Sequence, residues 1–337
     1  KDHEALAVKI CCKTKSKFLS ISMTYKSVSP ILPTTKSKFL SIIIINKIFL
    51  TYKSVSPILP TTKSKFLSIS IQLEEEQLRE RMARIRHKIL VLSGKGGVGK
   101  STIAVNIAVG LGMEGKKVGL LDVDFHGPSI PTLLRLGSQS LRTDGKNAFP
   151  LDYVYGIKVV SLGLLMPDQD EAVIWRGPLK MGVIRQFLAE ILWGELDYLI
   201  IDFPPGTGDE PLSVAQMLPE SDGAVIVTTP QEMSLADVRK SISFCRQVKV
   251  PVLGVVENMS GLTCPHCGKL IDLFKTGGGE AMAQKLEVPF LGRIPLEPAI
   301  VEASDSGRPF IYYQNQTAAA RAFQEGIIKT ILALDER

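Results

Sequence analysis

Three groups of residues have types and spacings that suit chemistry. Gly94 to Ser101 reads GKGGVGKS and fits G-x-x-x-x-G-K-[ST]. In that pattern small residues let successive backbone N–H groups converge on phosphate oxygens at the positive end of a helix. Gly94, Lys95, Gly96, Gly97, Val98 and Gly99 would then line the phosphates, with Lys100 neutralising the β and γ phosphates, Ser101 ligating Mg²⁺ and Thr102 opening the helix. The expected ligand is ATP with Mg²⁺. Carboxylates form the second group: Lys117 to Leu121 leads into Asp122-Val123-Asp124, and Leu196 to Ile201 leads into Asp202-Phe203-Pro204-Pro205-Gly206-Thr207-Gly208-Asp209. A carboxylate beside a γ phosphate orients the attacking water or holds the Mg²⁺ hydration shell, although an Asp after a strand also caps helices. The third group is Cys264 and Cys267 in a glycine- and proline-containing loop, a spacing at which two sulfurs can point at one ion. A closed metal site needs four ligands, and the chain has no second C-x-x-C.

These residues need a scaffold that brings strand ends together. The apolar run Lys88 to Ser93 (KILVLS) predicts a first core strand, and Thr102 to Met113 predicts the helix after the glycine loop. Further strands are expected near residues 117, 157, 197, 223, 251 and 289, giving an α/β fold with a doubly wound, mostly parallel sheet. Both carboxylate loops would lie at the carboxyl ends of strands, where open α/β sheets bind ligands. Residues 73–87 read as an amphipathic lead-in helix, 88–337 as the nucleotide-binding domain carrying the loop 264–267, and Thr317 to Leu334 as a helix covering one side of the sheet.

Composition divides the chain unevenly. With 45% hydrophobic and 22% charged residues over 337 positions it can build a sizeable core, which excludes a wholly disordered or fibrous protein. Residues 1–72 hold 12 lysines, no arginine and two acids, so they carry more positive charge than the whole chain's +6 and the remainder is net acidic. A nucleic-acid-binding face is therefore not expected on the folded part. Thr24 to Ile42 and Thr51 to Ile69 are identical in sequence and rich in Lys, Ser, Thr and Pro, so residues 1–72 read as a low-complexity, recently duplicated or misassigned extension with little fixed structure expected. An organelle-targeting presequence is the functional alternative, weakened by the lack of arginine. A chain beginning at Lys1 reads as a fragment, a processed product or a doubtful start. Five irregularly placed cysteines argue for a reducing compartment, the cytoplasm first and an organelle second. The longest apolar run, Phe39 to Leu50, is too short and interrupted to cross a bilayer, so no membrane partner is expected.

KGGVGKS, with its second lysine at Lys95, resembles the deviant P-loop of the dimeric ATPase class that includes ParA/MinD-type proteins, the nitrogenase iron protein and the Mrp/ApbC carriers. The resemblance implies a homodimer in which Lys95 reaches the partner's nucleotide. It also implies that Asp124 orients the attacking water, that Asp122 and Asp202 serve the Mg²⁺ network, and that Gly206 and Gly208 free a mobile second switch loop. DVDFHGPSIP (122–131), WRGP (175–178), DYLIIDFPPGTGDEPLSV (197–214), ENMSGLTCPHCG (257–268), GGGE (277–280) and VPFLGRIPLEPAI (288–300) make the chain similar to the Mrp/ApbC-type iron-sulfur cluster carrier ATPases over residues 85 to 315. That family implies slow ATP hydrolysis, apo iron-sulfur proteins and cluster-assembly factors as partners, and Asn258 near the adenine, a position a turn-forming Asn also suits. Under a twofold axis two copies of Cys264 and Cys267 supply four thiolates. A bridging [4Fe-4S] cluster, a bridging zinc ion and unliganded thiols all stay open. Only Cys11 and Cys12 precede the core, so a second cluster is not expected. A ParA/MinD-like switch acting through a partner or surface, with structural zinc on the cysteines, is the rival from another class, and a nitrogenase-iron-protein-like reductase is a weaker one.

Overall fold

The computed structural model describes residue 72 and residues 74–336 apart from 125–126, 138, 145–146, 166–176, 219, 265, 268 and 273–274. The repeated extension and Trp175-Arg176 of the WRGP stretch lie outside the described residues. The apolar runs form seven main strands: β1 (Ile85–Leu92), β2 (Val118–Asp122), β3 (Lys158–Ser161), β4 (Leu196–Asp202), β5 (Gly223–Thr228), β6 (Val252–Thr263) and β7 (Phe290–Leu296). All pair in parallel, in the order β6-β5-β1-β4-β2-β3 with β7 on the outer side of β6. Short antiparallel strands, Leu151–Asp152 and Leu270–Ile271, pair with β3 and β6. The expected doubly wound, mostly parallel sheet is the observed one.

The central strands are buried on both faces, as their near-continuous Val, Ile and Leu content requires. Helix α1 (Lys100–Met113) leaves β1 through the glycine loop and crosses to β2, with β4 seated between the two strands. The next crossovers run the other way from β4 to β5, so the winding reverses around β1 and opens a crevice at the carboxyl ends. α1 is buried along most of its length, pinned where Asn106 donates to the Thr102 carbonyl and accepts from the Ile311 amide. Among the described residues no helix is long and apolar enough to cross a membrane.

Two boundaries differ from the sequence reading. β1 starts at Ile85, so the lead-in helix ends at residue 82; Ile85 is buried and pairs with Leu196, which draws 85–87 into the sheet. The predicted helix 317–334 is segmented into Ala318–Ala322, wider π-type turns over Phe323–Ile328, and Lys329–Leu332. Thr317 caps it by accepting from the Ala320 amide at 3.2 Å. The wide turns fall where the helix presses on β7: a Cβ on Gly326 would lie 1.8 Å from the Leu291 carbonyl oxygen. Because that neighbour is backbone, Gly326→Ala should destabilise the fold by about 1–3 kcal/mol, read as a lower urea midpoint with an unchanged slope.

Candidate nucleotide and metal site

β1 ends at Leu92 and the chain turns at once into Ser93–Gly99, where Gly97 and Gly99 take φ of +80° and +83°, open to glycine at little cost. Neighbouring elements also need glycine here. A Cβ on Gly94 would lie 2.3 Å from the Asp237 Cβ, and one on Gly99 would lie 2.3 Å from the Asn258 Nδ2. At Gly96 and Gly97, both exposed, a Cβ would meet only open space; Lys95 is half-buried, and the Ser93 hydroxyl donates to the Lys95 carbonyl at 2.9 Å. Val98 is buried beneath the loop, while Ser101 and Thr102 sit half-buried in the first turn of α1.

Strand register sets the carboxylates. Asp202 at the end of β4 lies between Val91 of β1 and Asp122 of β2, so the two acids sit directly opposite on neighbouring strands. Both are fully buried. Lys100, only 6% exposed, donates to Asp202 Oδ1 at 2.6 Å. Asp122 accepts from the Asp124 amide at 3.0 Å and from the Ser161 hydroxyl at 2.9 Å, and Asp124 in turn accepts from the Gly127 amide at 3.2 Å. Burial pushes Asp122 up to about 8; Asp202 adds to the rise, and the Asp124 amide, the Ser161 hydroxyl and Lys100 oppose it. Burial raises Asp202 as well, against the pull of Lys100 and Ser101. Asp202 Oδ2 is buried with no hydrogen-bond partner.

A buried oxygen without a donor, beside a second buried carboxylate that holds its proton, is a site short of positive charge. The residues fit Mg²⁺: Ser101 offers a hydroxyl, and Asp122 and Asp202 offer hard oxygens of the kind that hold its water shell. The loop after Asp202 is tied back where the Gly206 amide, at φ +94°, donates to the Ser93 carbonyl at 2.8 Å.

Across the glycine loop stands β6. Its Asn258 Nδ2 donates to the Val98 carbonyl at 2.9 Å, so the side chain contacts the loop backbone. The strand then runs into the cysteine hairpin, closed by Leu270 against Thr263, Ile271 against Leu262, and the Cys264 amide donating to the Lys269 carbonyl. Cys264 is half-buried and Cys267 exposed. The backbone amides of Cys267 and then His266, with the Cys267 side chain, hold the Cys264 thiol below its usual range, which favours the ligating thiolate. Among the described residues no third His, Cys, Asp or Glu joins them in a group able to hold a metal. The buried Cys245 is pushed up to about 12 and is inert by comparison.

The structure thus brings Lys100, Ser101, Asp122, Asp124 and Asp202 into one cluster and leaves Cys264 and Cys267 at the far end of β6. Sequence reasoning passed over Ser161, Asp237 and Glu257, whose buried carboxylate accepts from the Gly277 amide at 2.8 Å. Ser161 and Glu257 carry a usable signal, since each is a polar residue closing an apolar strand run; Asp237, on a helix, carries none.

The family described as ParA: NUBPL iron-transfer P-loop NTPase matches residues 84–332. The iron-sulfur cluster carrier protein of Methanocaldococcus jannaschii is 52% identical over 238 residues, covering 71% of this chain and 82% of that one. A cytosolic Fe-S cluster assembly factor NUBP2 homolog of Monosiga brevicollis is 50% identical over 239 residues, 70% of this chain and 84% of that one. Among solved structures, a nucleotide-binding protein of Archaeoglobus fulgidus in complex with ADP superposes with a TM-score of 0.64 at 41% identity, over 75% of this chain and 98% of that one. The cell-division ATPase MinD of Pyrococcus furiosus shares the fold, with a TM-score of 0.56 at 24% identity over 74% and 99% of the two chains.

The raised Asp122 gives a pH signature. Its proton is bound more tightly in the native state than in the unfolded chain, so the stability it adds is complete at acid pH and is lost as pH rises through about 8. In nucleotide-free protein the unfolding midpoint should fall between about pH 6 and pH 8.5. Asp122→Asn should flatten that slope, as read by thermal melts across the range.

Proposed function

The chain belongs to the NUBPL-type family of iron-transfer P-loop NTPases, and on that premise we propose that it is an ATP-hydrolysing iron-sulfur cluster carrier. In this reading two copies form a homodimer, the Cys264–Cys267 pairs hold a [4Fe-4S] cluster between them as cargo, and the cluster passes to apoproteins. The observation that carries it is the two-thiol hairpin on the strand that borders the nucleotide loop; in a dimer it would supply half of a four-thiolate set. Relatives of about half identity that bear the cluster-carrier name support it.

The nucleotide chemistry follows from charge. Loop N–H groups bind the phosphates at the N-terminus of α1, and Lys100 transfers its charge from Asp202 to the β and γ phosphates. Asp124 holds and orients the attacking water, and Lys95 contributes its ammonium to the partner's phosphates. Ser101, Asp122 and Asp202 hold Mg²⁺, which when bound neutralises phosphate charge. As the γ phosphate leaves, the loop carrying Gly206 and Gly208 is released from its closed arrangement. The work is proposed for the cytoplasm.

Two measurements test this. Lys100→Ala should slow ATP hydrolysis by about 10²- to 10³-fold by removing a preorganised cation, measured as phosphate release at saturating ATP. Anaerobic reconstitution should give about four irons and four sulfides per dimer with a visible absorption band, both lost in Cys264→Ala/Cys267→Ala. Zinc alone, or no metal in the wild type, rejects the cluster reading.

A further inference from the structure

One strand serves both halves of the site. β6 runs beside β5 as far as Glu257, then parts from it and continues along β7, with Asn258 beside Ile294 and Leu262 beside Leu296. The cysteine hairpin is the direct continuation of the strand that touches the nucleotide loop.

The point of contact has a specific geometry. Asn258 Nδ2 donates to the carbonyl of Val98. That carbonyl and the Gly99 N–H belong to one planar trans peptide and point in opposite directions. Any ligand that draws the Gly99 N–H towards a phosphate therefore sets the direction of the Val98 carbonyl, and Asn258 reads it. Glycine makes the close approach possible, since a Cβ at Gly99 would fall 2.3 Å from Nδ2.

On either side of Asn258 the strand is first anchored and then jointed. The buried Glu257 accepts from the Ser260 hydroxyl, the Gly277 amide at 2.8 Å and the Gly279 amide, and it pairs with Arg293 at 3.7 Å. Beyond Asn258, Met259 takes φ +58° and Gly261 φ +76°, and the register against β7 slips between Ile294 and Leu296. A left-handed non-glycine residue is strained and persists only where its neighbours enforce it. Such a bulge re-aims the chain beyond it, and the chain beyond it carries Cys264.

We propose that Asn258 is a positioning residue that couples the two halves within one chain: through its hydrogen bond to the Val98 carbonyl and the Met259–Gly261 bulge, nucleotide occupancy sets the presentation of Cys264 and Cys267. This rests on the reading of those thiols as the cargo-holding pair. By reciprocity, cargo on the hairpin changes nucleotide affinity by the same factor.

The test is alkylation of the metal-free full chain by iodoacetamide under reducing anaerobic conditions, with Cys264 and Cys267 quantified by mass spectrometry. Rates are taken without nucleotide and at MgADP saturation, established separately for each variant so that weaker binding is not read as lost coupling. The wild-type rates should differ by about fivefold, the scale of one hydrogen bond's coupling, and the ratio should fall to near one in Asn258→Ala. A merely structural role for Asn258 would change both rates together and leave the ratio intact. Met259→Gly, which frees the joint, should also lower the ratio, and it carries the test if Asn258→Ala binds no MgADP. Equal rates in the wild type, or an undiminished ratio in the variant that carries the test, overturn the proposal. Iodoacetamide reads the free thiols of the metal-free chain, so this readout does not depend on iron loading. Full iron loading with no rate difference therefore rejects the coupling alone, and a rate difference without iron loading rejects the cluster reading alone.

Discussion

The buried ion pair of Lys100 and Asp202 is the interaction on which the site depends. One ammonium lies 2.6 Å from a carboxylate oxygen in the interior, with the opposed carboxylate of Asp122 on the neighbouring strand. Burial, and then the neighbouring Asp202, push Asp122 up to about 8, and Asp202 Oδ2 is left without a donor. Such a cluster is costly unless phosphate and a divalent cation rearrange it. Its place in the fold is not free: β1, β4 and β2 must end level for the lysine and both acids to meet, and the parallel register does this.

Glycine supplies the second constraint, through close approach more than through flexibility. Gly94 gives room to Asp237, Gly99 to Asn258 and Gly326 to the β7 backbone. Each glycine lets a separate element bear on the one beside it, so the loop is braced from the helix after β5 and from β6 while its outer turn at Gly96 and Gly97 stays open. The outer turn is exposed, and the braced ends hold the loop's position.

The cysteine hairpin obeys a different rule. One of its thiols is half-buried and the other exposed, Cys264 is held below its usual range by backbone N–H groups, and no third ligand from the described residues approaches. A closed structural site would bury its ligands in one chain. An exposed two-thiol loop suits a group that must be received and released.

Much was legible in the sequence because the decisive signals are local. GKGGVGKS between an apolar strand and a helix signals converging N–H groups, and runs such as KILVL and YLIID signal strands buried on both faces. The family likeness rested on such stretches, and residues 84–332 match it. What the sequence could not supply is everything set by strand order and register, because residues far apart meet only after the sheet is wound. Nothing local pairs Asp122 with Asp202, hands Ser161 to Asp122, or turns Asn258 towards Val98. The chain determined which groups could bind phosphate and metal; the tertiary structure decided which of them share one buried charge cluster, because only burial and proximity make their charges interdependent.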